Sequence, residues 1–257
     1  MGDNADGTQF TVLGTADAID RAELITRYAY PAERWVRANM IASADGGATS
    51  GGTSGGLGGD GDKAVFSVLR ELADVILVGA ATVRAEDYSG VSVTAEQRAA
   101  REARGQAAVA PIALLTRSGS VDPDAAVFQR TEVPPIVFTS AAAAPETRRT
   151  LGDLAEVIDV SGSDPESLEL SRAVGVLADR GLGRVLAEGG PGILGRLIAD
   201  DLLDELCLTV APVLVGGAAG RIVTGDGDDQ TPLRLQQILS DDAGYLFLRY
   251  ARAAGDR

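Results

Sequence analysis

Arg184-Val185-Leu186-Ala187-Glu188-Gly189-Gly190-Pro191-Gly192-Ile193-Leu194 decides how this chain folds. An apolar run short enough for a buried strand ends on a carboxylate and two glycines, and a helical pattern continues from Ile193 to Ala199. Pro191 suits a first helical turn, because its missing N–H is one that no helix would use there. The glycines leave backbone N–H groups open to an anion at the positive end of that helix. The plainer alternative is an ordinary strand-to-helix turn. Either way, strand, glycine turn and helix form one α/β unit.

The same alternation extends in both directions. Strand candidates lie at Val36–Ser43, Val75–Gly79, Ile112–Thr116, Ile136–Thr139, Arg184–Glu188, Glu205–Val215 and Tyr245–Tyr250. Helical patterns at 95–104, 145–151, 166–180 and 192–201 separate most of them, which predicts a mostly parallel central sheet with helices on both faces. No strong helix joins the last two strands, so the sheet is expected to have an antiparallel edge. Residues 1–30 read as an N-terminal extension with a short helical pattern at 19–28, and 31–257 as a single domain.

Between the first strand and the next helix lies Gly46 to Gly61, with nine glycines in sixteen residues, too many for regular structure. Ordering so loose a segment costs conformational entropy, so its functional reading is a mobile lid over a ligand; a flexible surface loop is the other reading. It contains G-x-S-x-G and G-x-G-x-x-G matches, both weak in so glycine-rich a run. From Asp62, a plausible N-cap, Val65, Phe66, Val68, Leu69 and Leu72 share the spacing of one buried helix face.

Composition prunes the functions. With no histidine and the single cysteine Cys207, neither a Ser-His-Asp or Cys-His pair, nor a His/Cys zinc site, nor an intrachain disulfide can be built, and no metal is expected. Cys207 sits in an apolar run and reads as a small buried hydrophobe. Lys63 is the only lysine, which excludes a P-loop. A net charge of −14 disfavours nucleic acid, and 4% aromatic residues leave few rings for stacking platforms. No apolar run approaches the roughly 20 residues that span a bilayer, and the acidic start lacks a signal-peptide core, so a cytoplasmic protein with no membrane partner is expected.

Ala42-Ser43-Ala44-Asp45-Gly46, Leu69-Arg70, the segment Val78-Gly79-Ala80-Ala81-Thr82-Val83-Arg84-Ala85-Glu86-Asp87, the Glu188–Leu194 segment, and Asp204-Glu205-Leu206 with Ala211-Pro212 follow in order. Together they resemble the reductase domain of bacterial riboflavin biosynthesis, a branch of the dihydrofolate-reductase-like superfamily. The resemblance implies a homodimer that uses NADPH to reduce a ribosylaminopyrimidine to its ribityl form. It implies that Gly79, Thr82 and Glu86 contact the cofactor, that Gly189, Gly190, Pro191, Gly192, Ile193 and Leu194 cradle its pyrophosphate, and that Ser54, Arg70 and Glu188 face the substrate. Asp45 matches the position expected for a proton donor or substrate anchor. Arg117, beyond the strand Ile112–Thr116, is the candidate for the 2′-phosphate, since a guanidinium fork suits that dianion; a solvated turn arginine is the alternative.

Three features depart from the family. The zinc deaminase domain of bifunctional members cannot be made from these residues. Gly56 stands where many members have an aromatic, and Tyr88 to Val93 lacks the arginine suited to a substrate phosphate. A dihydropterin such as dihydrofolate is therefore the alternative substrate, and an NADP(H)-binding protein without turnover the alternative of another class. Asp45 and Glu188 discriminate here, since a pure sensor needs no carboxylates facing the nicotinamide.

Overall fold

A computed structural model describes residues 18–225 and 230–253. In chain order the elements are α1 (Arg21–Arg27), β1 (Trp35–Ser43), α2 (Asp60–Leu72), β2 (Val75–Gly79), α3 (Ala80–Ala85), α4 (Ala95–Ala103), β3 (Ile112–Thr116), α5 (Ala126–Gln129) and β4 (Ile136–Thr139). They continue with α6 (Ala144–Leu151), β5 (Glu156–Asp159), α7 (Leu170–Asp179), β6 (Arg184–Ala187), α8 (Pro191–Ala199), β7 (Glu205–Ala211), β8 (Leu233–Ser240) and β9 (Leu246–Arg252). One nine-stranded sheet runs β5-β4-β3-β2-β6-β1-β7-β9-β8. Pairings from β5 to β7 are parallel, while β9 runs antiparallel to both β7 and β8. The predicted α/β class, with its antiparallel edge, is the observed one.

The central strands are apolar on both faces because both faces are covered. Alternate residues of β2 divide between two cores: Ile76 and Val78 pack with Val65, Val68, Leu69 and Leu72 of α2, whereas Val75 and Leu77 pack with Leu170, Ala173 and Leu177 of α7 and Leu194 and Leu197 of α8. Tyr28, 1% exposed, belongs to the α2-side core, with Leu24, Ile25 and Tyr30 packed against it. Residues 18–30 thus reach the α2-side core through these side chains, and residues 1–17 lie outside the described chain.

Three differences from the expected boundaries have local causes. Helix α2 starts at Asp60 with extended Gly59 as its N-cap, so Asp62 is not the cap but a first-turn residue. The expected strand to Val215 ends at Ala211 because Pro212 cannot donate to the ladder and Gly216 and Gly217 take positive φ. Helix α7 begins only at Leu170, since Asp164 to Ser167 form a turn after Pro165. Helices α3 and α5 and strands β5 and β8 were not anticipated.

The carboxyl end of α2 is closed by a side chain from α4. Arg101, fully buried, donates through Nη1 to the carbonyls of Arg70 (3.2 Å), Glu71 (2.8 Å) and Ala73 (2.7 Å), and through Nε to Ala107 (2.9 Å). Carbonyls that a helix end leaves without partners are satisfied there by one guanidinium.

Candidate active site

Because β2, β6 and β1 are adjacent and parallel, their carboxyl ends share one edge, and a cavity of about 850 Å³ opens there. Gly79 ends β2, and Glu188 to Ile193 lead from β6 into α8. These two segments touch: the Gly79 amide donates to the Gly189 carbonyl (2.9 Å), and the Glu188 amide to that of Leu77 (2.9 Å). A Cβ added at Gly79 would lie 2.8 Å from Ile193 Cδ1, and one at Gly190 would lie 2.8 Å from Thr82 Oγ1. Gly189 takes φ +97°. Gly189 thus holds a backbone conformation that favours glycine, and a side chain at Gly79 or Gly190 would have to displace Ile193 or Thr82. Helix α8 has no side-chain N-cap; Pro191 lacks an N–H, and those of Ile193 (2.9 Å) and Leu194 (3.2 Å) donate to the Gly190 carbonyl, so the Gly192 N–H is the one the first turn offers to the cavity wall.

Opposite stands a charged pair. Arg70 of α2 grips Glu188 bidentately, Nε to Oε1 at 2.8 Å and Nη2 to Oε2 at 2.7 Å, with only 3% of the Glu188 side chain exposed. The guanidinium lies 4.2 Å from the Phe66 ring centroid and 5.2 Å from that of Tyr88. The third wall is the glycine-rich segment, where Thr49, Gly52, Ser54 and Gly55 face the cavity. It is tied down by Glu86, just beyond α3, whose Oε1 accepts from both the amide (2.8 Å) and the hydroxyl (2.9 Å) of Ser54.

Of the residues expected to act, the structure brings Ser54, Arg70, Gly79, Thr82, Glu86, Glu188, Gly189, Gly190, Pro191, Gly192 and Ile193 to this one cavity. Three stand elsewhere. Leu194 is 1% exposed and packs into the α7–α8 core, one position past the residue that faces the cavity. Arg117 is exposed, two residues beyond the Leu115 that pairs with Gly79, so it shares the carboxyl edge without lining the cavity.

Asp45 is the larger correction. It borders a separate recess of about 320 Å³ with Gly46, Gly47, Gly216 and Gly217. Its carboxylate accepts from Ser43 Oγ (2.5 Å) and from the amides of Val215 (3.2 Å) and Gly216 (2.7 Å). These donors, the Ser43 hydroxyl foremost, hold its pKa down to about 2. Asp45 clips two loops together, and an acid so strong is fully ionised at neutral pH.

Several cavity residues escaped the sequence reading. Asp62, Phe66 and Arg70 lie at i, i+4 and i+8 on α2 and all line the cavity, so Phe66 is a half-buried wall rather than core. Tyr88 adds a second ring. Asn39, a polar residue within the apolar strand β1, lines the floor with Met40, and its placement was the available signal.

A mostly parallel sheet closing a cavity at its carboxyl edge, between a glycine junction at a helix start and a charged pocket, defines the class: a dihydrofolate-reductase-like protein. Residues 34–247 match the RibD C-terminal domain, and the chain belongs to that family. The 2,5-diamino-6-ribosylamino-4(3H)-pyrimidinone 5′-phosphate reductase of Archaeoglobus fulgidus is 30% identical over 184 residues, 71% of this chain and 82% of that protein. A pyrimidine reductase-like protein from Corynebacterium diphtheriae superposes with a TM-score of 0.77 at 28% identity, covering 86% of this chain and 93% of the other. The riboflavin biosynthesis reductase of Saccharomyces cerevisiae, 14% identical with a TM-score of 0.66 over 90% of this chain and 98% of its own, shares the fold. The curated relatives are named as reductases, and this chain is an oxidoreductase.

Proposed function

We propose that the chain is an NADPH-dependent reductase that converts a ribosylaminopyrimidine of riboflavin biosynthesis to its ribityl form, acting as a cytoplasmic homodimer. One observation carries the reading: the close-packed junction of Gly79, Gly189 and Gly190, in which an added Cβ would strike Ile193 or Thr82, at the uncapped start of α8 in the cavity wall. Such a cradle lets a pyrophosphate approach the backbone closely, with the Gly192 N–H of the first turn directed to it. When bound, the reduced nicotinamide supplies a hydride. Thr82 and Glu86 border the same wall, and Arg117 lies along the edge where a 2′-phosphate would reach it.

The residues opposite would handle the substrate. Arg70 and Glu188 fix each other's geometry and offer the heterocycle one donor-rich and one acceptor-rich group; Phe66 and Tyr88 supply apolar walls in place of the aromatic missing at Gly56. Ser54, bonded to Glu86, presents the glycine-rich segment as a cover that excludes water. The exposed leucines Leu233, Leu235 and Leu246 on β8 and β9 suit an interface with a second copy.

A dihydropterin is the second reading, favoured by one feature. Among the described residues the cations in the cavity wall are Lys63 and Arg70, and Arg70 is already paired with Glu188, which leaves little there to neutralise a substrate phosphate. Loss of NADPH absorbance with the ribosylaminopyrimidine phosphate and with dihydrofolate, in one preparation, decides between them. NADPH binding without turnover of either would leave the non-catalytic binder.

A further inference from the structure

Reduction of a C=N bond needs a proton as well as a hydride, and Asp45 is too far down in pKa and in the wrong recess to give one. Among the described residues the cavity wall holds four carboxyl groups, Asp62, Glu86, Asp87 and Glu188. Glu188 is held by both N–H groups of Arg70, and Glu86 accepts from the Ser54 amide and hydroxyl. Asp87 is exposed and pairs with Arg130 at 2.6 Å. Asp62 is half-buried in the first turn of α2 and, among the described residues, forms no ion pair. The Lys63 ammonium turns to Asp60 at 3.0 Å, in solvent. From β7, Thr209 offers a hydroxyl. The β8–β9 turn packs Tyr245 against Gly59 and the acidic Asp241 against Gly61. Burial pushes the Asp62 carboxyl above the ordinary aspartate range, against the lowering by Thr209 and Lys63. Its position at i−4 from Phe66 and i−8 from Arg70 aims it along the helix line that faces the cavity.

We propose that Asp62 is the proton donor of the reduction, protonating the nitrogen of the C=N bond whose carbon receives the hydride. This rests on the reductase reading above. The hydride brings one hydrogen and two electrons to carbon; the C=N π pair takes the Asp62 proton on nitrogen; and solvent returns a proton to the carboxylate. The balance is C=N + NADPH + H⁺ → CH–NH + NADP⁺.

Asp62→Asn should bind NADPH as wild type does in a fluorescence titration, yet lose about a hundredfold or more of kcat, the usual share of a general acid. Wild-type kcat should fall as pH rises through the Asp62 ionisation, and the residual rate of Asp62→Asn should lack that limb. Thr209→Val removes a hydroxyl that favours the carboxylate, so it should move the limb to higher pH; this variant serves if Asp62→Asn fails to fold. Carboxyl-carbon NMR of the ligand-free protein should place the Asp62 midpoint above that of an ordinary aspartate, independently of turnover. An active wild type with Asp62→Asn at full kcat, a change in KM alone, a limb unmoved by Thr209→Val or an ordinary midpoint would overturn the assignment. A wild type that turns over no pyrimidine or pterin would instead overturn the reductase reading, and this proposal with it.

Discussion

Replacing Arg70 with Met keeps most of the side-chain volume and removes the charge that faces Glu188. The Glu188 side chain is 3% exposed and receives two hydrogen bonds of 2.8 and 2.7 Å from that guanidinium. Removing one member of a buried pair costs about 3–5 kcal/mol, because the other charge is left desolvated. Arg70 keeps 19% of its side-chain exposure, so water can partly re-solvate the vacated side and the lower end, about 3 kcal/mol, applies. With a urea slope of about 3 kcal/mol/M for a chain of this size, the denaturation midpoint should drop by about 1 M. A second change, Glu188→Gln, removes the stranded charge. The double variant should then be more stable than the sum of the single losses, by a coupling of about 2 kcal/mol. An unchanged midpoint in Arg70→Met, or strict additivity in the cycle, would refute the view that these two groups are a coupled, desolvated pair.

Gly190→Val should weaken NADPH binding severely, since its Cβ would lie 2.8 Å from Thr82 Oγ1 within the junction; wild-type affinity by fluorescence titration would remove that segment from the cofactor site. Arg117→Ala should narrow the preference for NADPH over NADH by about tenfold to a hundredfold, the worth of one or more charge-assisted hydrogen bonds, and an unchanged ratio of dissociation constants would pass the role to another group. Asp45→Asn should retain turnover, because the residue lies outside the cavity. Its folded-state pKa lies below the ordinary value, so the carboxylate's stabilisation is present above the usual aspartate range and is lost as pH falls through about 2. The melting temperature of the Asn variant should accordingly depend less on pH over that acid window; an unaltered pH profile, or lost activity at neutral pH, would count against the loop-clip role.

Apolar continuity made most of the sheet legible. Strands β2, β3 and β4 were expected with the bounds observed, because each is buried on both faces and begins directly after a residue that interrupts an apolar run, Asp74, Pro111 or Pro135. Strand β5 was missed since Glu156 and Asp159 are exposed at its ends, and β8 because a bulge between Leu235 and Gln237 breaks the two-residue alternation. Helix α3 follows β2 with no linker, so its residues read as a loop. In the site, the glycines of the β6–α8 turn were legible because backbone approach demands them. Asp62 was not, because a two-residue error at the start of α2 made a cavity-facing carboxyl look like a cap. Asp45 misled for the opposite reason: its strand-end position is conspicuous in sequence, while the Val215 and Gly216 amides that neutralise its chemistry come from a loop 170 residues further on.

The clamp that Arg101 places on the tail of α2 divides that helix into two dynamic regimes. Its head is bordered by Gly58 and Gly59 and has no side-chain cap, whereas its tail carbonyls are bound by a buried guanidinium. Amide protons near Asp62 should therefore exchange through smaller local openings. Those near Leu69 and Leu72 should exchange only with global unfolding. Arg70 sits on the slow side of this gradient and Asp62 on the fast side, so the helix can breathe at the mouth of the cavity while its grip on Glu188 stays in register.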